Sequence, residues 1–85
     1  MRGKTSYVIA LTLDGVHPHV STWSEPDTMY DFLSDYRNEV RILDARRVVV
    51  TASGSVNYAE VRIDVDDGRL AIYDKYGTLI ERWEF

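Results

Sequence analysis

The sequence contains no cysteine. Disulfide bonds, thiolate zinc sites and cysteine nucleophiles are therefore excluded, and the absence suits a reducing compartment. No apolar run approaches the roughly 20 residues that are needed to span a bilayer, and the polar start MRGKTSY is not typical of a signal peptide. We therefore expect a cytoplasmic protein that has no contact with a membrane.

Motifs that mark common active sites are also absent. The sequence has no G-x-S-x-G nucleophile elbow, no G-x-x-x-x-G-K-[ST] phosphate loop and no G-x-G-x-x-G dinucleotide fingerprint. The acidic pair Asp66-Asp67 precedes a glycine, but the other ligand positions of a calcium loop are missing, so a hairpin turn is the simpler interpretation. We therefore predict that the protein is not an enzyme and needs no cofactor.

Positive charge is scarcer than negative charge. Ten Lys and Arg residues stand against fourteen Asp and Glu residues, so the formal net charge is −4. This balance disfavours nucleic acid and anionic membranes as partners.

With 45% hydrophobic and 28% charged residues, the 85-residue chain has the composition of one globular domain. We predict that this domain spans residues 1–85 and that residues 1–5 form a flexible basic tail.

A period-2 pattern predicts the first strand. Tyr7, Ile9, Leu11 and Leu13 alternate with the smaller residues Val8, Ala10 and Thr12, and the Asp14-Gly15 pair that follows is a strong turn signal. The chain should then return as a second strand in which Pro18 faces Leu11. Since Pro18 has no N–H to give to a ladder, this second strand should lie at an edge of the sheet.

The only two histidines, His17 and His19, lie on either side of Pro18. Two imidazoles at positions i and i+2 project from one face of a strand and could share a zinc or nickel ion. Such a site needs three or four ligands, and no third ligand is identifiable in the sequence. Display on the exposed face of an edge strand is the simpler interpretation, and His17 and His19 remain the candidates for a metal site.

Residues 24–38 carry the clearest helix pattern. Ser24 is the expected N-cap, and Pro26 suits the first turn, where a missing N–H costs little. Helical spacing predicts the buried stripe Met29, Phe32, Leu33 and Tyr36. Asn38 is the expected C-cap.

The opposite side of this helix carries Asp27, Asp31 and Asp35, about one helical turn apart. We call these residues the acidic stripe. Like charges at this spacing repel each other. The stripe is either a solvated helix surface or a contact for a basic protein surface.

Beyond residues 38–46, whose structure the pattern leaves open, turn signals predict four antiparallel strands. The turns are expected at Ser53–Ser55, Asp67-Gly68 and Asp74–Gly77. The predicted element order is therefore ββαββββ. We expect an α+β fold in which an N-terminal β-hairpin is followed by one amphipathic helix and a four-stranded antiparallel meander, with the helix packed on one face of the sheet.

The turn positions also fix strand registers. Val65 should face Leu70, and Ile72 should face Ile80. One face of the meander is then aliphatic and suits the helix, with these members: Val61, Ile63, Val65, Leu70, Ile72 and Ile80. The same scheme places Arg47 opposite Arg62, a like-charge pair which suggests that the strand of Val48 is slipped by a residue.

The other face of the predicted meander mixes arginine with aromatic and aliphatic residues: Arg62, Arg69, Tyr73, Leu79, Trp83 and Phe85. We call this set the predicted arginine–aromatic face. Arginine and aromatic residues are enriched at the energetic centres of protein interfaces. The alternatives are that Arg69 and Trp83 form only a cross-strand cation–π pair, or that the N-terminal hairpin covers the face. If the face is an interface, Trp83→Glu should disrupt binding with little loss of fold.

Three functions are compatible with these features. The first is a protein-binding module that occupies the surface of another protein, as an inhibitor, an immunity protein or a phage-encoded antagonist of a host nuclease or defence complex does. The second is a single-stranded nucleic-acid-binding module that stacks bases on Tyr73, Trp83 and Phe85. The third is a metal-dependent regulator that uses His17 and His19. The small size, the acidity and the absence of cofactor motifs favour the first, and a homodimer is compatible with all three.

Overall fold

The computed structural model describes residues 3–13 and 17–85. In chain order its elements are β1 (Lys4–Leu13), β2 (His19–Trp23), α1 (Pro26–Asp35), β3 (Val40–Val50), β4 (Val56–Asp66), β5 (Arg69–Asp74) and β6 (Leu79–Glu84). The predicted α+β fold and the element order ββαββββ are confirmed. Within the described ranges, no helix has the length and apolar character that crossing a membrane requires.

Two predictions concern the beginning of the chain. Of the predicted N-terminal tail, Lys4 and Thr5 belong to β1, where they face Val50 and Val49. Residues 1 and 2 lie outside the described residues, and so does the predicted turn at residues 14 and 15.

All six strands form one antiparallel sheet with the order β2-β1-β3-β4-β5-β6. β1 pairs with β3 from Lys4 opposite Val50 to Leu13 opposite Val40. The N-terminal hairpin therefore extends the sheet and does not cover the meander, and residues 40–46 form the first part of a strand. β2 lies at one end of the strand order, which confirms the predicted edge strand.

β4 is shared between two parts of this sheet. Its first part, Val56–Glu60, pairs with β3, and its second part, Val61–Asp66, pairs with β5. We call β2, β1, β3 and residues 56–60 the first half-sheet, and residues 61–66, β5 and β6 the second half-sheet. In the described chain no ladder joins residues 40–45 of β3 to β4, so the two half-sheets separate there.

A partly buried polar link joins the two half-sheets. The Tyr7 hydroxyl of β1 donates a hydrogen bond to one carboxylate oxygen of Glu81 in β6. The Arg47 guanidinium of β3 donates to the other oxygen at 3.2 Å. The Trp83 ring meets the Tyr7 ring edge-on, with 6.5 Å between the ring centres and 84° between the planes. The inner faces of the two half-sheets therefore face each other.

The hydrophobic core lies between the half-sheets and α1. All three contribute its buried residues: Tyr7, Ile9, Leu11, Met29, Leu33, Ala45, Val61, Ile63, Leu70 and Ile72. The predicted aliphatic face is confirmed as core, because four of its six members are in this set and the other two, Val65 and Ile80, are partly buried against it. Burial of apolar area stabilises the fold by about 25 cal/mol per Å².

The predicted helix stripe faces this core. Met29 and Leu33 are buried, and Phe32 lies against Trp23 with 5.1 Å between the ring centres. Tyr36, at the end of the stripe, is exposed. The stripe therefore packs against the core through Met29, Phe32 and Leu33, and its last residue, Tyr36, faces solvent.

Both predicted caps of α1 are wrong. Glu25, not Ser24, is the N-cap, and no side chain caps the first turn. Tyr36, not Asn38, is the C-cap. The helix ends early because the N–H groups of residues 39 and 40 both bond to the Tyr36 carbonyl at 2.7 Å, in a tight turn that leads into β3.

The register between β5 and β6 follows the prediction for one pair only. Tyr73 faces Leu79 as predicted, but a bulge follows, and Ile72 faces Glu81 instead of Ile80. One inserted residue moves every later side chain of the strand to the other face. The prediction for the rest of β6 is therefore wrong by one residue.

Trp83 is the residue that this bulge affects most. It faces Leu70, on the core side, and not Arg69. Its ring is partly buried against the core. The predicted position of Trp83 on the outer face is therefore wrong.

The N-terminal hairpin is also shifted by one residue. Leu11 faces His19, and the predicted pair of Leu11 with Pro18 is wrong. Since Pro18 has no N–H to donate, the ladder between β1 and β2 begins one residue later, at His19.

The hairpin of β3 and β4 is shifted further. Arg47 faces Ala59, so the predicted contact with Arg62 is wrong. The turn is closed by a bond from the Thr51 N–H to the Ser55 carbonyl at 2.9 Å. This tight turn starts the ladder early and separates the two like charges.

We expect Glu81→Ala to lower the free energy of unfolding by about 1 to 3 kcal/mol, because the Tyr7 hydroxyl and the Arg47 guanidinium then lose their acceptor in the interior. Glu84→Ala is the matched control on the same strand, since Glu84 is exposed and 3.9 Å from Arg82. The control should change stability by no more than about 0.5 kcal/mol. Urea denaturation followed by tryptophan fluorescence measures both variants. Equal losses would contradict an interior role for Glu81.

Trp83→Glu should destabilise the fold by roughly 3 kcal/mol or more, because it brings a carboxylate into the core next to the polar link. Leu79→Glu is the control on the same strand, because Leu79 is 46% exposed. Thermal unfolding followed by circular dichroism measures the difference. A Trp83→Glu variant that melts like the wild type would place Trp83 outside the core.

Candidate functional site

The outer face of the first half-sheet is rich in apolar side chains. On β1, residues 7, 9 and 11 point into the core, so residues 8 and 10 point outwards. The ladders extend this outer face across β2, β3 and the first part of β4. Its apolar members, which we call the valine face, are Val8, Ala10, Val20, Val48, Val50, Val56 and Tyr58.

Cross-strand pairs hold the most exposed part of the valine face together. Val50 faces Val56, and Val48 faces Tyr58. Val56 is 61% exposed and Tyr58 is 70% exposed, while Val20 on β2 is 64% exposed. Large apolar side chains are thus in contact with solvent along a single sheet face.

Arg46 lies in the middle of this face, between Val8 on β1 and Glu60 on β4. Its guanidinium is 3.1 Å from the Asp44 carboxylate and 6.0 Å from the ring centre of Tyr58. The Asp44 carboxylate therefore balances its positive charge. An arginine beside an exposed tyrosine is typical of the residues that dominate binding energy at protein interfaces.

The position of the covering elements explains why the valine face is open. α1 and the second half-sheet both pack against the inner face, where the core lies. In the part of the chain that the structure describes, no element packs against the outer face of the first half-sheet. The valine face is therefore available to another molecule.

The prediction from sequence did not identify this surface, although the sequence carries a signal for it. Residues 7–11 read YVIAL and residues 48–50 read VVV, without polar residues between the apolar ones. An antiparallel strand with one solvated face normally alternates apolar with polar residues. Continuous apolar runs beside a single helix therefore indicate an uncovered apolar face.

The predicted arginine–aromatic face does not form one surface. Trp83 lies towards the core. Phe85 stacks on Tyr30 of α1, with 4.5 Å between the ring centres and 20° between the planes. Arg69 forms an ion pair with Asp66 at 3.0 Å and does not face Trp83.

Three of the predicted residues remain together on the outer face of the second half-sheet. The Arg62 guanidinium lies 4.6 Å from the ring centre of Tyr73, which faces Arg62 from β5 as predicted. Leu79 faces Tyr73 from β6. The Asp64 carboxylate lies 3.4 Å from Arg62, so the charge of this patch is balanced.

The acidic stripe is solvent-facing. Asp27, Asp31 and Asp35 are all exposed on α1. Among the residues that the structure describes, none of the three carboxylates forms an ion pair. The stripe therefore presents negative charge to solvent on a helix that packs against the inner face.

The two histidines are exposed at the edge of the sheet. His19 begins β2, whereas His17 lies before the strand, so the two do not share one strand face. Within residues 3–13 and 17–85 no group of three or more His, Cys, Asp or Glu side chains is arranged to hold a metal ion. The structure thus adds no third ligand to His17 and His19.

A cleft of about 430 Å³ opens where β3 and β4 separate. Its walls include Leu33, Ile42 and Ile63, and its rim carries Asp66 and Arg69. The Asp67 N–H donates a hydrogen bond to the Asp66 carboxylate and lowers its pKa, with a smaller contribution from Arg69. The cleft offers apolar contact, and these two rim charges pair with each other.

Among residues 3–13 and 17–85, the polar link is the one place where the pKa of a titrating group is strongly changed. Burial raises the pKa of Tyr7 far above its ordinary value, and the hydrogen bond to Glu81 raises it further, while Arg47 opposes both effects. A tyrosine held in its protonated form is a poor base and a poor nucleophile. The link therefore serves the fold.

No protein-family model, no curated protein and no solved structure matches the chain.

We expect the free energy of unfolding to fall as the pH rises above about 10, because the unfolded chain ionises Tyr7 near that value while the folded protein keeps it protonated. Below about pH 10 the contribution of Tyr7 is fully present. Urea denaturation at several pH values from about 9 to about 11 measures the slope. Tyr7→Phe should make the decline shallower, and Tyr76→Phe should not, because Tyr76 is 82% exposed. An unchanged slope in Tyr7→Phe would contradict this origin of the pH dependence.

Proposed function

We propose that the protein is a protein-binding module that acts by occupying the surface of a partner protein with its valine face. The observation that supports the proposal is the exposure of Val20, Val56 and Tyr58 on one open sheet face. Exposed apolar side chains that share one sheet face are a feature of protein interaction sites.

The chemistry of the face indicates the kind of partner. Arg46 is its central cation and pairs with Asp44, and Lys4 and Glu60 add one further charge of each sign. A surface that is apolar and locally neutral has little attraction for a phosphate backbone. We therefore propose an apolar patch on another protein as its target, with Tyr58 and Arg46 as the anchors of the contact.

Two findings weigh against the alternative of single-stranded nucleic-acid binding. Trp83 lies towards the core and Phe85 stacks on Tyr30, so these two rings do not form a row of stacking platforms with Tyr73. The net charge of −4 adds to this argument.

We place the mode of action among inhibitors, antagonists and immunity-type proteins of the cytoplasm, which act by binding and need neither a cofactor nor catalysis. The acidic stripe fits this role as a secondary feature. Exposed negative charge accelerates the encounter with a basic partner, even when it is not part of the final contact. The valine face, on the other side of the sheet, supplies the contact itself.

Tyr58→Ala should weaken binding to the partner by about 10-fold to 100-fold, because an exposed aromatic anchor is lost without damage to the core. Tyr76→Ala is the matched control: Tyr76 is also exposed, but it lies in the turn between β5 and β6, away from the valine face. Affinity purification from the native host with wild type and both variants identifies the partner. Titration calorimetry with the purified partner then gives the dissociation constants. A partner that binds all three proteins equally well would show that the valine face is not the contact.

A further inference from the structure

The first part of β4 is an open strand edge. Residues 56–60 pair with β3 on one side, and β5 pairs with β4 only from Val61 onwards. In the described chain, the other side of residues 56–60 therefore has no ladder partner. All five residues are exposed.

The turn before this segment determines which backbone groups point into the open edge. The N–H of residue 51 bonds to the carbonyl of residue 55, and hydrogen-bonded pairs alternate with non-bonded pairs along an antiparallel ladder. Residues 57 and 59 therefore bond to β3. The N–H and C=O groups of residues 56, 58 and 60 point away from β3, towards solvent.

Other open edges of the described sheet carry features that hinder pairing with another chain. Residues 40–45 of β3, which no ladder joins to β4, include the charged residues Arg41 and Asp44. β2 has only five residues and follows Pro18. β6 carries the charged residues Glu81, Arg82 and Glu84. Residues 56–59 read VNYA and contain neither a charge nor a proline. This segment is thus an open edge that lacks such protection.

We propose that this edge pairs with the same edge of a second copy of the chain, so that the protein forms an antiparallel homodimer through β4. The segment is self-complementary when Asn57 lies on the two-fold axis. Val56 of each copy then faces Tyr58 of the other, in a pair whose outward backbone groups exchange hydrogen bonds. Pairs of an aromatic with a β-branched residue are among the favourable cross-strand pairs.

Another register is less favourable. With Tyr58 on the axis, Val56 of each copy would face Glu60 of the other, which places a carboxylate opposite an apolar side chain. The side chains of two Asn57 residues, in contrast, can hydrogen-bond to each other across the axis. The sequence VNY therefore selects the register that is centred on Asn57.

The dimer joins the four strands of each first half-sheet into one continuous sheet. Because the two-fold axis is perpendicular to this sheet, the valine faces of both copies lie on the same side and meet at Val56 and Tyr58. The inference does not rest on the proposed function, since the edge groups lie in the plane of the sheet and a partner on the valine face binds perpendicular to it.

Sedimentation equilibrium of the wild-type protein is the first test. The contact is small, so we expect a reversible dimer with a dissociation constant on the order of 100 μM. The measurement covers concentrations from about 10 μM to about 1 mM to bracket this value. A protein that stays monomeric up to the highest concentration would overturn the proposal.

Cross-linking with single cysteines tests the register, and the chain has no cysteine of its own. Opposite residues of a non-bonded antiparallel pair have Cα atoms about 4.5 Å apart, which suits a disulfide. Asn57→Cys should therefore form a covalent dimer under mild oxidation at least about 10-fold faster than Ala59→Cys. In the proposed dimer the two copies of residue 59 lie about 13 Å apart along the strands. Fastest cross-linking by Ala59→Cys or Tyr58→Cys would overturn this register.

Charge at the axis gives a test that separates this inference from the proposed function. Asn57→Asp places two like charges opposite each other and should weaken the dimer at least about 10-fold at low salt, with partial recovery at high salt. Asn57→Ser and Tyr76→Asp are the controls for the loss of the amide and for the added charge. Asn57 faces away from the valine face, so these variants should bind the partner protein as the wild type does. Dimerisation that is unaffected in Asn57→Asp would overturn the proposal.

Discussion

The structure is governed by how few elements are available to cover a six-stranded sheet. One helix of ten residues cannot cover a sheet face of this size. The passage of β4 from one half-sheet to the other provides a second cover, because it brings β5 and β6 over the inner face of β1 and β3. Both covers lie on the same side. The closed core, the valine face and the open edge of residues 56–60 all follow from this arrangement.

The polar link restricts how the two half-sheets meet. Glu81 points inwards from the last strand and meets Tyr7 and Arg47. A slip of β6 by one residue would bring Arg82 towards Arg47 and place two like charges together in a partly buried site. A slip in the other direction would bring Ile80 there and leave the Tyr7 hydroxyl and the guanidinium without an acceptor. The carboxylate therefore favours one register between two faces that are otherwise mostly apolar and would fit in several ways.

A two-residue turn allows a strand register to be predicted from sequence, because it leaves a single pairing of the two strands that it joins. The Asp67-Gly68 turn, in which Gly68 has a positive φ of 71°, correctly predicted the pairing of Val65 with Leu70. The register prediction failed at the bulge beside Tyr73, because no side chain near it is diagnostic of an inserted residue. This single inserted residue moved Trp83 from the predicted outer face to the core side of β6. The pairing of β1 with β3 was not predicted either, because a helix and a strand separate them in sequence and no turn fixes their register. The valine face depends on that pairing, so the candidate site was largely missed, whereas the exposed acidic stripe needed only the periodicity of one helix.

The polar link also has a kinetic consequence. Tyr7 and Glu81 are 74 positions apart in an 85-residue chain. Bringing two residues of such long sequence separation together costs loop-closure entropy before their contact can stabilise the fold. A protein of this topology therefore folds slowly for its size. While the chain is being synthesised, β1 can pair with β2 and β3, but Tyr7 has to wait for its contacts in β6. The period between the synthesis of β1 and that of β6 is therefore when aggregation competes most strongly with folding.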